Sequence, residues 1–251
     1  MATSSFESCD RHLVKWEKRL NPQCHCPSSG GVPLDLGSAR EQGRKGLSES
    51  EVKSLLRGYG VKTTDFRVPK REELESLDTQ FPVAVKVCSP DILHKTELGG
   101  VFLNVKNRTE MIDKFDLVKS KFPGASVLIE PMEKPGIEMI IGLFKDPDFG
   151  LSIMFGMGGV LTELYKDVSF RLVPISDLDA DEMVSEIRAE KVFRGFRGMK
   201  ADRDALLDLL VKISSMGNEL REHINQLDLN PVFVREADCV VVDAKLMLEP
   251  L

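Results

Sequence analysis

Two short segments near the end of the chain, Asp228-Leu229-Asn230-Pro231 and Val240-Val241-Val242-Asp243, carry an amide oxygen and a carboxylate on strand-like stretches joined by a short connection. Such segments pair most simply as a hairpin, which brings Asn230 beside Asp243. One or two carboxylate or amide oxygens, completed by substrate phosphates, are how proteins usually hold Mg²⁺. Taken alone, the same residues also read as an Asn-Pro turn and a surface aspartate.

Other residues suit phosphate chemistry. Lys86 sits in Val83-Ala84-Val85-Lys86-Val87-Cys88, a stretch otherwise built for burial. A buried ammonium needs an anionic partner, and either a structural carboxylate or a nucleotide phosphate would serve. The loop from Ser89 to Gly100 gathers His94, Lys95, Thr96 and two glycines. Backbone amides, a lysine and a hydroxyl can cradle phosphate, and a neutral imidazole is nucleophilic near pH 7. A loop histidine with no task is the plainer reading of His94. Glu130 and Glu138 frame a turn between two strands, and Gly156-Met157-Gly158-Gly159 is either a close approach to a ligand or a tight turn. Neither a G-x-x-x-x-G-K-[ST] loop nor a G-x-G-x-x-G turn before a helix occurs, so a nucleotide would need a different fold.

The elements that would position these groups follow from the pattern. Ser48 and Glu51 form a capping box ahead of a stripe at Val52, Leu55, Leu56 and Tyr59, stopped by Gly58 and Gly60. Order is expected to begin at Leu47, with residues 1–46 a tail or linker bearing one short helix near Leu13 to Leu20. An extended piece over Val61–Val68 and a charged helix over Lys70–Leu77 come next. Strands are expected at 83–88, 101–105, 126–130, 137–144, 151–155 and 168–172. A helix capped by Thr109 carries Ile112, Phe115, Val118 and Phe122, and two more helices span 179–189 and 202–222. Strands and helices intermix without a strict strand–helix repeat, which predicts α+β architecture with mixed or antiparallel sheets.

The chain has 251 residues, 42% hydrophobic and 29% charged, with a formal net charge of −6. That is ordinary globular composition. Without clustered basic residues, nucleic acid is excluded as a main partner. No apolar run is long enough to span a bilayer, and the first residues lack the apolar core of a secretory signal, so a cytoplasmic location is expected. Of five cysteines, Cys88 and Cys239 fall in apolar runs and read as buried thiols. Cys9, Cys24 and Cys26 lie in the polar N-terminal segment near His12 and His25; their spacing lacks the zinc-turn gap, and reduced thiols are expected there.

The order of these motifs resembles the ATP-grasp subunit of the nucleoside-diphosphate-forming acyl-CoA synthetases. The resemblance is carried by Ala39-Arg40-Glu41-Gln42-Gly43-Arg44, Leu47-Ser48-Glu49-Ser50-Glu51, Phe81-Pro82-Val83-Ala84-Val85-Lys86-Val87 and Ser89-Pro90-Asp91-Ile92-Leu93-His94-Lys95. It continues through Gly136-Ile137-Glu138, Asp146-Pro147-Asp148-Phe149-Gly150, Val160-Leu161-Thr162-Glu163, Lys166-Asp167-Val168-Ser169-Phe170-Arg171, Arg194-Gly195-Phe196-Arg197-Gly198 and the C-terminal hairpin. It covers roughly residues 39–248.

The resemblance implies an ATP-grasp fold over 39–251, whose two subdomains clasp the nucleotide about a hinge near 130, with 1–38 a flexible extension. It implies that Lys86 contacts nucleotide phosphate, that Glu130 and its neighbour Glu133 line the adenine end, and that Glu138 binds the ribose or phosphate side. Asn230 and Asp243 would hold Mg²⁺, and His94 would be a mobile phosphohistidine. The implied reaction converts acyl-CoA, ADP and phosphate into free acid, CoA and ATP, reversibly. An alpha subunit would supply the CoA-binding part and a first phosphohistidine, in a heterotetramer of two alpha and two beta subunits. Arg171 and Glu163 look adjacent to the site without an assignable role. The alternatives are a stand-alone ATP-grasp carboxylate ligase and a non-catalytic nucleotide-binding regulatory subunit.

Overall fold

The computed structural model describes residues 36–92, 95–159, 167–195 and 201–250. Order starts earlier than Leu47. A helix α1 (Leu36–Glu41) buries Leu36 and Ala39, and a short strand β1 (Gly46–Leu47) follows. Six helical residues are fewer than two turns, too few to show a periodic stripe. Helix α2 (Glu49–Gly58) has the expected capping box, with the Ser48 amide donating to Glu51 Oε2 at 2.8 Å. Gly60 (φ +71°) then turns the chain.

The segment after α2 straps the molecule together. Thr63 bridges to Val241 and Arg67 bridges to Ile129. The charged stretch beyond it forms a 3-10 helix (Arg71–Ser76) rather than an α-helix, and only its Leu74 is buried.

A three-stranded antiparallel sheet has β2 (Val83–Cys88) at its centre, between β3 (Val101–Val105) and β4 (Ser126–Pro131). Helix α3 (Arg108–Lys121) packs Met111, Phe115 and Val118 onto Val83, Val85, Val87, Val127 and Ile129. Its cap is Asn107, not Thr109: the Asn107 side chain accepts the Glu110 amide at 3.0 Å. Asparagine ranks above threonine as an N-cap, and its choice starts the helix two residues earlier.

The second sheet is seven-stranded and antiparallel. Its strands are β1, β5 (Ile137–Asp146), β6 (Gly150–Met157), β7 (Val168–Leu172), β8 (Ile224–Val234), β9 (Cys239–Val241) and β10 (Ala244–Leu248). The order is β1-β10-β8-β5-β6-β7, with β9 also paired to β8. Asp146 makes the β5–β6 turn by accepting the amides of Asp148 and Phe149, each at 2.9 Å. Helices α4 (Asp177–Glu186) and α5 (Arg203–Glu219) bury Met183, Val184, Leu206, Leu210 and Ile213 in this sheet's own core. The helix expected over 179–189 stops at Glu186 and gives way to a 3-10 segment, Arg188–Arg194. Asp167 holds that segment's start by accepting the amides of Arg188 and Ala189.

Each sheet thus has its own hydrophobic core, and the chain passes from the small sheet to the large one between Pro131 and Ile137. The architecture is α+β with antiparallel sheets, as the patterning predicts. No helix among the described residues is long and apolar enough to cross a membrane.

Candidate active site

The faces of the two sheets meet over a buried cluster of charge. Lys86 on β2 is 3% exposed. Its Nζ lies 3.0 Å from Glu49 Oε1, 2.6 Å from Glu130 Oε1 and 3.7 Å from Asp243 Oδ2. Strand alternation explains the direction: Val85 and Val87 face the α3 core, so Lys86 must face the other way. Glu49 stands in the first turn of α2, where the helix dipole favours an anion. Lys53, one turn on and 0% exposed, lies 2.8 Å from Glu49 and 2.5 Å from Glu130. Thr64, from the strap, accepts from Lys53 at 2.7 Å and donates to Glu130 at 2.6 Å. Lys95, from the loop after β2, reaches Glu49 at 2.5 Å and Asp243 at 2.8 Å.

Three ammonium groups therefore face three carboxylates, which is how buried charge is tolerated. Burial alone would raise the Glu49 pKa, but Lys86, Lys53 and Lys95 outweigh it and hold the carboxyl well below the usual range. Burial likewise works against the Lys86 ammonium, and Glu49, Asp243 and Glu130 outweigh it, leaving the pKa well above the ordinary lysine value. Lys86 stays charged at any physiological pH.

Asn230 and Asp243 come together as the hairpin reading predicts. The Asn230 backbone N–H donates to the Asp243 backbone carbonyl at 3.2 Å, and Ala244 pairs with Leu229. Asp243 sits between β9 and β10, both of which pair with β8. Along β8, Leu227, Leu229 and Val232 are buried, while Asn230 is exposed and Asp228 half-buried. Burial raises the Asp228 pKa, and the nearby Asp243 charge adds to the shift against Lys245. The exposed Asn230 and the half-buried Asp243 offer oxygen donors, the atom type a hard divalent cation takes. Mg²⁺ retains several waters and needs only one or two protein oxygens beside substrate phosphates. Among the described residues no group of three His, Cys, Asp or Glu side chains is poised around one point.

Glu130, expected at the adenine end, turns its carboxylate into the charge cluster and is 2% exposed. Glu133 is paired with Arg235 at 2.8 Å. Both border the crossing between the sheets. Glu133, Pro131, Met132, Phe66 and Arg235 line an adjoining cleft of about 670 Å³, large enough for a drug-sized ligand.

Glu138 is exposed at the start of β5. Its carbonyl accepts the Gly158 amide at 2.8 Å, and a Cβ on Gly158 would lie 3.0 Å from that carbonyl. Gly159 (φ +82°) would place a Cβ 3.0 Å from Glu138 Oε2. The glycine run is therefore needed for close approach to Glu138. Arg171 is buried and pairs with Glu186 at 2.6 Å and Glu182 at 3.4 Å, a contact between β7 and α4. His94 and Glu163 lie outside the described residues.

Glu49, Lys53 and Thr64 are the site residues that motif reading passes over. A signal existed. Glu49, Val52, Lys53 and Leu56 recur at i, i+3, i+4 and i+7, so two charged residues share the buried face of α2.

Residues 38–248 match the ATP-grasp domain family. The chain is 41% identical over 222 residues to the beta subunit of acetate–CoA ligase [ADP-forming] II from Pyrococcus furiosus, covering 83% of this chain and 94% of that subunit. The chain belongs to the ATP-grasp family of ADP-forming acetate–CoA ligase beta subunits. In Archaeoglobus fulgidus a family member, acetate–CoA ligase [ADP-forming] II, is a longer chain. Identity to it is 42% over 80% of this chain but only 30% of that one. Among solved structures, acetyl-coenzyme A synthetase 1 from Ca. Korarchaeum cryptofilum superposes with a TM-score of 0.75 at 39% identity, over 85% of this chain and 98% of that one. That structure is a complex with coenzyme A and Mg-AMPPCP, its phosphohistidine segment pointing towards the nucleotide-binding site.

Proposed function

We propose that this chain is the nucleotide-binding, phosphoryl-transferring subunit of an ADP-forming acyl-CoA synthetase, working in the cytoplasm with an alpha subunit that carries the CoA-binding domain and a first phosphohistidine. A heterotetramer of two alpha and two beta subunits is the assembly we favour. The observation that carries the reading is that Lys86 lies 3.7 Å from the Asp243 carboxylate, in a hairpin neighbourhood whose backbone also holds Asn230 against Asp243.

In this reading ADP or ATP lies along the seam with its base toward Glu133 and its phosphates toward Lys86. Asn230 and Asp243 hold Mg²⁺, which neutralises phosphate charge when bound. Lys86 offers its ammonium to the phosphates, while Glu49 and Glu130 keep it charged and aimed. Glu130 thus acts through Lys86 as a positioning residue, and Glu138, held close by Gly158 and Gly159, faces the ribose or phosphate side. His94 carries the phosphoryl group. In the ATP-forming direction its N–P bond breaks as a bond forms between phosphorus and a terminal oxygen of ADP, and the ring nitrogen released takes up one proton to give neutral imidazole. Positioning and charge stabilisation are what such a transfer asks of a protein.

The test combines the chain with a matching alpha subunit, Mg²⁺, ADP, phosphate and acetyl-CoA, and follows ATP. The expected result is ATP formation that is lost in His94→Ala with nucleotide binding retained, and lost in Lys86→Met with nucleotide binding weakened. Tight nucleotide binding without ATP formation in the presence of active alpha subunit would overturn the synthetase reading.

A further inference from the structure

Lys95 occupies an unexpected position. Its ammonium lies 2.8 Å from one Asp243 carboxylate oxygen and 3.2 Å from the other, so it straddles the very group that the proposed function assigns to metal. It also lies 2.5 Å from Glu49.

The loop is built to deliver it there. The Gly100 amide donates to the Lys95 carbonyl at 2.7 Å, and the Val87 amide donates to the Gly100 carbonyl at 2.8 Å. A Cβ on Gly100 would stand 2.6 Å from Val87 Cγ1 and 3.2 Å from the Lys95 carbonyl oxygen, so only glycine lets the turn close against β2. Gly99, at φ +63°, completes the turn.

We propose that Lys95 is the resident cation of the metal position: its ammonium and a divalent cation compete for the Asp243 carboxylate, and metal entry displaces Lys95. This rests on the reading of Asp243 as a metal ligand. Two cations cannot share one carboxylate face at hydrogen-bonding distance without repulsion. Lys86, already 3.7 Å from Asp243, adds to the positive charge a metal would meet. Glu49 offers Lys95 a second anchor, so leaving Asp243 does not strand the ammonium.

Two consequences follow. Metal alone binds the nucleotide-free protein weakly. Nucleotide phosphates give the displaced ammonium a new partner, so metal and nucleotide bind with positive coupling, and each raises the other's affinity by the same factor. The tether that is exchanged lies one residue from His94 in the sequence.

The experiment titrates the full chain with Mn²⁺ and reads free Mn²⁺ by electron paramagnetic resonance, with and without ADP. Lys95→Met should bind Mn²⁺ at least tenfold more tightly than the parent without ADP, and the gain should shrink when ADP is present. Lys95→Arg, which keeps the cation, should resemble the parent. Equal or weaker Mn²⁺ binding in Lys95→Met, with Asp243→Asn still abolishing it, would overturn the competition while leaving the metal site intact. Mn²⁺ binding that survives Asp243→Asn would remove the metal reading and the competition together. If Lys95→Met loses its folded circular dichroism, Lys95→Gln takes its place with the same readout.

Discussion

Glu49→Gln isolates the hub of the charge cluster. The substitution keeps shape and one oxygen acceptor but removes the charge that faces Lys53 at 2.8 Å, Lys86 at 3.0 Å and Lys95 at 2.5 Å. At an effective dielectric of roughly 20, each such pair is worth about 6 kcal/mol of Coulomb attraction. Most of that is offset by the cost of desolvating the groups. What remains on removing one partner of a buried network is about 3–5 kcal/mol, because three ammonium groups would then share Glu130 and Asp243. In a domain of this size that lowers Tm by roughly 6–20 °C. Urea unfolding at pH 7 should show the loss as a lower midpoint with the slope unchanged.

The same carboxylate sets a pH signature. Its folded pKa is depressed, so its stabilisation is fully present above the unfolded value and is lost as pH falls toward the folded one. The gap between parent and Glu49→Gln should therefore close by about 1.4 kcal/mol per pH unit below an ordinary glutamate pKa of about 4.3. A deficit under about 1 kcal/mol at pH 7, or one that stays constant into acid, would refute the hub assignment, since both follow from the ion pairing and not from packing.

Asn107→Ala should cost about 1 kcal/mol in urea midpoint through loss of the α3 cap, and Thr109→Ala much less; equal losses would return the cap to Thr109. Gly158→Ala should destabilise by about 1–3 kcal/mol, because its Cβ meets the backbone of Glu138 and Met139 at 3.0–3.1 Å and β5 must shift to admit it; a neutral result in thermal melts would show that β5 moves freely. Burial pushes the Cys239 thiol up to about 12, with Asp202 and Asp238 adding to it. It should resist a thiol reagent at pH 8 until the protein is unfolded, and prompt labelling of the native protein at Cys239 would contradict its placement.

The strands were legible because burial on one or two faces leaves a local trace. β2 runs over Val83–Cys88 and β7 over Val168–Leu172, as the apolar and alternating patterns predict. The pairing of Asn230 with Asp243 was legible for a related reason, since both lie in one short hairpin neighbourhood. Helix α1 was too short to carry a period, and the 71–76 segment had charge enough for a helix but only Leu74 to bury. Glu130 shows the harder limit. Its place in the motif order suggested the base-binding end, whereas its carboxylate is taken up by Lys53, Lys86 and Thr64.

By itself the sequence determined the family, the antiparallel α+β character and the residue types available for phosphate and metal chemistry. Those follow from local periodicity and from the order of motifs along the chain. Only the tertiary structure decided which charges neutralise one another. Lys95 and Asp243 are 148 residues apart in sequence, and Lys53 and Glu130 are 77 apart. Their partnership depends on distance in space and on exclusion of water, and neither exists until the two sheets close over α2.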